Sequence, residues 1–418
     1  MTSSALGRDF RLLWSASVSS RFGDSLRTPA LALLAVTLTR DPRIIAAVTV
    51  AGQLPPLLFG LLGGVYADRW DRRRTMAVVD GVRAAVVAAL AVAVVLDRAA
   101  VVTLLVAAFL LAALGTLFDS ASFALLPTVV PPATLPRANG RLQAGSAVAG
   151  GFLGAPAAGV LFATAPALPF ALDAVTFAVA ALLVLALTPP PVGAAPAIRR
   201  GSVWSEIVEG MRWLRGHRTL WRVTLLAAAC NLAISGLMAV LVLYALDVLR
   251  VPPAGYGLFA AGAILGGVVG ALGAGRLAAR LGTVPALRAV LAAQTVALVG
   301  FALARQPVPG GIALAVFAAG SVVWNSLSAS YGQRHVPGGL LGRVGAAQRM
   351  VAVLTAPVGA ALAGLAAAAY GTVPVAGAAA GTFALVTLAA WRTLRPVSPV
   401  PTAAAPTSDR TVARHPSR

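Results

Sequence analysis

Apolar stretches of nearly 20 residues recur along this chain, separated by short breaks of polar residues, Gly and Pro. A helix rising about 1.5 Å per residue needs roughly 20 apolar residues to cross a hydrocarbon layer about 30 Å thick. The pattern predicts an all-α polytopic membrane protein of twelve spanning helices, over residues 12–38, 44–66, 75–96, 99–118, 141–163, 167–188, 221–247, 254–277, 284–304, 310–332, 343–369 and 372–394. The first, fourth and tenth spans carry extra polar residues, so the pattern alone also admits eleven. Between the sixth and seventh spans the rhythm breaks. Pro189, Pro190 and Pro191 are followed by Arg199, Arg200, Glu206, Glu209, Arg212, Arg215, Arg218 and Arg222. Val203, Trp204, Ile207, Val208, Met211, Trp213 and Leu214 recur there at helical spacing, which predicts a cationic amphipathic helix on the cytoplasmic surface. After Arg395 the chain is rich in Pro, Thr, Ala and Ser and reads as disordered. The domain reading is a six-helix bundle over 1–188, a linker over 189–220, a second six-helix bundle over 221–395 and a tail over 396–418.

The two halves repeat one another. Phe118-Asp119 and Trp324-Asn325 each lie near the end of an apolar span, and Pro131 and Pro337 each follow twelve residues later. Leu135 and Arg137 match Leu341 and Arg343 at the same 206-residue offset. Both copies fall on one side of the membrane, so the predicted repeat is parallel, with its axis along the membrane normal, as in many secondary transporters.

Composition narrows the class. The chain is 418 residues, 59% hydrophobic and 11% charged, with mean hydropathy +0.86. A soluble domain is about 45–50% apolar and about 25% charged. The net charge of +20 comes from 33 basic residues, all arginine, concentrated in alternate short loops. That asymmetry predicts a plasma-membrane protein with both termini cytoplasmic and argues for contact with anionic lipid rather than nucleic acid. The first strongly apolar stretch, Thr28 to Thr39, follows charged residues and has no cleavage pattern. The one cysteine, Cys230, lies in an apolar run. His217, His335 and His415 fall in loops or the tail, and neither metal-ligand spacing nor a phosphate-binding Gly-rich loop is present. These features exclude an enzyme and an ATP-driven pump, and they imply no cofactor or metal. The expectation is a monomer moving a small molecule and protons.

The most specific motif is Gly64-Val65-Tyr66-Ala67-Asp68-Arg69-Trp70-Asp71-Arg72-Arg73-Arg74, after the second span. Gly60, Gly63 and Gly64 allow close helix approach, and a carboxylate at Asp68 suits a neighbouring helix N-terminus. The run resembles the loop 2–3 signature of the major facilitator superfamily, with Asp71 in place of the second Gly. The resemblance implies that Gly64, Asp68, Arg69, Asp71, Arg72 and Arg73 serve the conformational switch. Gly275 to Gly282 is similar to a degraded copy, with Ala279 where the acid would stand. In the fifth span Gly150, Gly154, Pro156 and Gly159 resemble in part the family's antiporter motif, which tilts the expectation to export. Ser20 to Asp24, Asp119 to Asn139, Leu172 to Ala174 and Leu340 to Val344 look like the drug:proton antiporter branch that contains macrolide-efflux and enterobactin-exporter-like proteins. Leu111 stands where that family's span 4 arginine would be.

Charges within spans are costly and face a cavity or a partner. Asp24 is three residues from both Arg21 and Arg27, and Asp80 is three from Arg83. Asp24 and Asp173 are the candidate proton-coupling carboxylates, and Asp80–Arg83 reads as a structural pair. Arg21, Arg27, Asn231, Trp324 and Asn325 are candidate cavity residues. Tyr66, Phe118 and Tyr244 are further aromatic candidates. The expected function is proton-coupled efflux of a small hydrophobic drug or secondary metabolite by alternating access. The alternatives are export of a siderophore-like, polar or anionic molecule recognised by Arg21, Arg27 and Arg83, and proton-coupled solute import.

Overall fold

The computed structural model describes residues 7–69, 71–131, 134–188, 203–337 and 340–393, with the side chains of 60–69, 123–124, 136, 151–152, 203–204, 206, 333–334 and 341 outside that description. The proline-rich start of the linker and the tail expected to be disordered also lie outside it. Among the described residues the chain is helical throughout, with no strand. The first bundle comprises α1 (Arg8–Leu38), α2 (Pro42–Arg69), α3 (Arg72–Val95), α4 (Val101–Val129), α5 (Leu135–Ala147), α6 (Ala155–Thr164) and α7 (Leu168–Leu185). Helices α5 and α6 form one spanning rod, joined through a π-helical turn at Val148–Gly154. After the linker helix α8 (Val203–Gly216), the second bundle comprises α9 (Arg218–Leu243), α10 (Pro253–Leu281), α11 (Thr283–Leu303), α12 (Pro307–His335), α13 (Leu341–Tyr370) and α14 (Thr372–Thr393).

Each predicted span coincides with one of these rods. Eleven are long and apolar enough to cross a membrane by composition alone. The twelfth is α1, whose Arg21, Asp24 and Arg27 dilute its hydropathy. It spans because the bundle supplies partners for those charges. The weak scoring expected of the fourth span is corrected, since Val101–Val129 holds the most apolar window of all. That helix also runs ten residues past Asp119, the position near its expected end, and stops just before Pro131. α12 stops just before Pro337 in the same way, because the residue before a proline is pushed out of helical geometry. The repeat is visible in these ends: Val101 and Pro307, Val129 and His335, and Leu135 and Leu341 are each 206 residues apart.

Large apolar side chains stay exposed around the outside of the bundles, among them Leu182 at 67%, Val296 at 72% and Leu303 at 71%. In water such a surface would drive association, whereas in lipid it is the solvated face. Inside, the packing divides by depth. Phe10, Leu13, Met76, Phe118, Leu125 and Val184 form a cluster within the first bundle. Leu220, Leu287, Trp324, Tyr331, Val344 and Ala390 form a separate one within the second. Both lie at the face where α1 begins and α8 sits, the arginine-rich face. Toward the opposite face a single cluster unites the bundles, with Leu31, Leu34, Ile45 and Leu104 of the first and Leu241, Val242, Tyr256 and Phe259 of the second.

Small residues make that union close. A Cβ on Gly159 of α6 would lie 2.5 Å from the Ala254 carbonyl oxygen of α10, and one on Gly364 of α13 would lie 2.5 Å from Cβ of Ala46 on α2. Ala46, Ala239 and Ala360 pack together across the same seam. Arg40 adds an exposed ion pair to Asp247 at 2.9 Å. The bundles are therefore joined at one face and divided into separate cores at the arginine-rich face.

The amphipathic helix expected on the membrane surface forms as α8, but its apolar face packs on the second bundle. Ile207 and Leu214 are buried. Gly210 lies against the backbone of Arg343 and Val344, and Arg343 holds Glu209 at 2.7 Å.

Candidate functional site

The buried charge lies in the first bundle, on three helices that the sequence separates widely. Asp24 of α1 accepts from Arg27 at 2.5 Å, one turn further along the same helix. It also accepts from Arg83 of α3 at 2.6 Å. Arg83 donates in addition to Asp80 at 3.2 Å and to Ser20 Oγ at 3.1 Å. Arg27 donates its other nitrogen to Asp173 of α7 at 2.9 Å. The result is a chain of charges, Asp80–Arg83–Asp24–Arg27–Asp173. Asp80 and Asp173 are fully buried, and Arg83 is 2% exposed. Phe177 closes the cluster from α7, with the Arg83 guanidinium 3.9 Å from its ring centroid.

Three carboxylates meet two guanidiniums in this cluster, so with all five ionised it carries one uncompensated negative charge. The two end carboxylates are also incompletely hydrogen-bonded: Asp80 Oδ2 and Asp173 Oδ1 are buried without a partner. Asp24 is different, because it is gripped by both cations. Breaking a buried pair of this kind typically costs about 3–5 kcal/mol, since the partner left behind is an uncompensated charge. Gly23 makes the assembly possible. A Cβ there would collide with Asp173 Oδ1 and Thr176 Oγ1, so the lack of a side chain lets α1 seat against α7.

Several expectations are revised by this geometry. Asp173, which has no partner close in sequence, pairs across helices with Arg27. The Asp80–Arg83 pair forms, yet Arg83 also bridges to α1. Arg21 does not share Asp24; it pairs with Asp119 of α4 at 2.6 Å, with both side chains about half exposed. Arg21, Arg27 and Arg83, proposed as cargo-recognition cations in the anionic reading, are each committed to carboxylates. Tyr244 belongs to the core rather than a cavity, being fully buried and donating to the Phe301 carbonyl oxygen at 2.9 Å.

A cavity of about 450 Å³ lies beneath the united seam, lined by both bundles. Its wall is mostly apolar, with Leu31, Ile45, Val48, Leu111, Met238, Val242 and Tyr256, and Arg27 is the one charged residue on it. Leu111, at the position of the family's arginine, is thus an apolar wall residue. Tyr256 was not singled out from sequence; its signal is only a tyrosine near the start of a span. In the second bundle, Asn231, Trp324 and Asn325 line one cavity of about 250 Å³. Asn231 Nδ2 donates to the Ala352 carbonyl oxygen at 2.7 Å. Trp324 and Asn325 also line a neighbouring cavity of about 640 Å³ with Ser328, Gln348 and Arg349; sequence reading passed over the last two.

The loop motif divides. The side chains of Gly64, Asp68 and Arg69 lie outside the described residues. Asp71 caps the N-terminus of α3, accepting from the backbone N–H groups of Arg73 at 3.0 Å and Arg74 at 3.2 Å. The Arg73 guanidinium donates to the Val184 and Leu185 carbonyl oxygens at the end of α7, where a cation meets the negative helix end, and Arg74 pairs with Asp71 at 3.6 Å. In the fifth span Gly154 packs on Ser25 of α1 and Gly159 on α10, Pro156 opens α6 after the π-helical turn, and Gly150 faces open space.

Comparison with known proteins agrees with this architecture. The Major Facilitator Superfamily matches residues 13–356. An uncharacterised MFS-type transporter of Mycobacterium bovis and one of Mycobacterium tuberculosis are each 32% identical over 243 residues, covering 55% of this chain and 53% of theirs. The chain thus matches these curated relatives over about half their length. Among solved structures, a bacterial homologue of the human lysosomal transporter Spinster, inward-facing and occupied, superposes with TM-score 0.74 at 14% identity, over 94% of this chain and 98% of that one. The nucleoside transporter NupG gives 0.70 at 16% identity, over 94% and 100%. At such identities the likeness is one of fold. The chain belongs to the Major Facilitator Superfamily and is a multi-pass membrane protein.

Proposed function

We propose that this transporter exports a small, largely apolar organic molecule in exchange for protons, by rocking of its two bundles. The observation that carries the reading is the charge count of the buried cluster: three carboxylates against two guanidiniums. A surplus charge in a low-dielectric interior is costly. One proton removes it without moving either arginine. Asp80 and Asp173 each place one oxygen on an arginine and leave the other unpartnered; Asp173 is the favoured proton site because its arginine, Arg27, lines the cavity, and Asp24 is the fixed hub between the two cations. Protonation of Asp173 frees one Arg27 nitrogen beside the 450 Å³ cavity, which links the proton to the space where cargo would sit. A proton that binds one state of the bundles more tightly than the other biases the equilibrium between them.

On the positive-inside rule the arginine-rich face is cytoplasmic, so the divided cores open the bundles toward the cytoplasm. The apolar cavity wall favours an apolar cargo. The partial antiporter motif favours export, and its glycines lie at both α1 and α10.

Transport into proteoliposomes under an imposed pH gradient tests the coupling. Asp173→Asn should remove the dependence of transport on the gradient while leaving cargo exchange at equal pH, because the two remaining ionised carboxylates balance the two guanidiniums without a proton. Wild-type-like, gradient-driven accumulation in Asp173→Asn would exclude this site.

A further inference from the structure

We propose that the cleft in the second bundle is an anion subsite, holding a carboxylate or phosphate on the cargo against Arg349. This rests on the transporter reading above and adds the cargo's polar chemistry to it.

α13 has 30 residues and is therefore about 45 Å long, against a hydrocarbon layer of about 30 Å. Arg349 lies eight residues after its first, Leu341, about 12 Å along the axis, and its side chain is exposed. Arg349 lines the cavity of about 640 Å³, and among the described residues it has no ion pair. The chain has no Asp or Glu between Asp247 and Asp409, and Glu209 of α8, packed on the same helix, is held by Arg343. Asp247 lies at the opposite face, where it holds Arg40. The contrast with Arg27 and Arg83 is direct, since each of those holds two carboxylates.

The groups beside Arg349 are neutral and can donate. Asn325 is exposed on the same wall. Ser328 Oγ is shielded from solvent and has no hydrogen-bond partner. Gln348 is already engaged, donating to Thr224 Oγ1 at 3.1 Å. A guanidinium with two uncommitted polar groups and no competing carboxylate is complementary to an oxyanion. Trp324 on the same wall offers apolar surface to the body that carries it. The fitting cargo is an amphipathic organic anion.

The full-length protein in phosphatidylcholine nanodiscs can be titrated with naphthalene-1-acetate and with its neutral isostere naphthalene-1-acetamide. The carboxylate should bind roughly tenfold more tightly than the amide. Arg349→Gln should abolish the difference, and Arg349→Lys should retain part of it. Equal affinity for acid and amide in the wild type needs no variant to interpret and would overturn the subsite, as would a preference that survives in Arg349→Gln. Displacement of the carboxylate by phosphatidylglycerol would assign the anion to a lipid headgroup and overturn the cargo role. The titration uses no gradient, so its failure leaves proton coupling intact. Failure of the Asp173→Asn prediction leaves the binding preference standing.

Discussion

Gly23 and Asp24 stand next to each other in α1 and fill opposite roles. Asp24 binds two arginines, and Gly23 removes the bulk that would keep α7 and its Asp173 away. Gly23→Val should therefore overpack the α1–α7 contact, at a typical cost of about 1–3 kcal/mol, and spoil the cluster that neutralises these charges. A lower unfolding temperature in detergent together with lost gradient-driven transport is the expected outcome. An unchanged unfolding temperature would mean that the contact yields without cost. Sequence reading reached the local pairs Asp24–Arg27 and Asp80–Arg83, because three residues is a helical neighbour spacing. It misjudged Arg21 for a geometric reason. Arg21 and Arg27 are six residues apart and diverge by about 120° around a helix of 3.6 residues per turn. Only one of them can face the interior beside Asp24, and Arg21 turns to Asp119. The links from Arg83 to Asp24 and from Arg27 to Asp173 span 59 and 146 residues and leave no local signal. Arg349 was legible as an arginine within a span and was passed over among the cationic loops.

At the scale of elements, length and punctuation carried most of the information. Twenty-residue apolar runs located every spanning helix, and prolines 206 residues apart stopped α4 and α12 at matching points. Hydropathy misplaced the end of α4, because Asp119 looks like a boundary until Arg21 is seen to satisfy it. The amphipathic pattern of α8 was legible, but the surface it would cover was not, since lipid and a bundle reward the same apolar stripe. Asp71 shows a departure from the family signature acquiring a local task. It replaces a glycine and caps α3 through two backbone N–H groups. Replacing a capping Asp by Ala typically costs about 1 kcal/mol, and by Gly only a few tenths. Asp71→Ala should thus lower the unfolding temperature more than Asp71→Gly, although glycine is the residue that the family carries there. Equal shifts would show that the cap contributes nothing beyond the chain's own turn.

At the scale of the whole molecule, the state of the transporter is set by which seam is shut. The Arg40–Asp247 bridge crosses that seam, but its side chains are 65% and 54% exposed, and such pairs contribute about 0–1 kcal/mol. The closure therefore rests on the small residues below it, where Gly159 meets α10 and Gly364 meets Ala46. Cysteines at Ala46 and Gly364, in a Cys230→Ala background, would place their Cβ atoms closer than the roughly 3.8 Å of a relaxed disulfide. A shift of about 1 Å between α2 and α13 accommodates the bond. Oxidation should hold this seam shut, abolish transport and leave the arginine-rich side of the cleft open to a membrane-impermeant thiol reagent at a reporter cysteine replacing Ala329, which is exposed on its wall. Reduction should restore transport, because the two substitutions by themselves leave the bundles free to rock. If the oxidised protein, cross-linked to completion, still transports at the reduced rate, the seam does not open in the cycle, and alternating access by rocking about it is excluded.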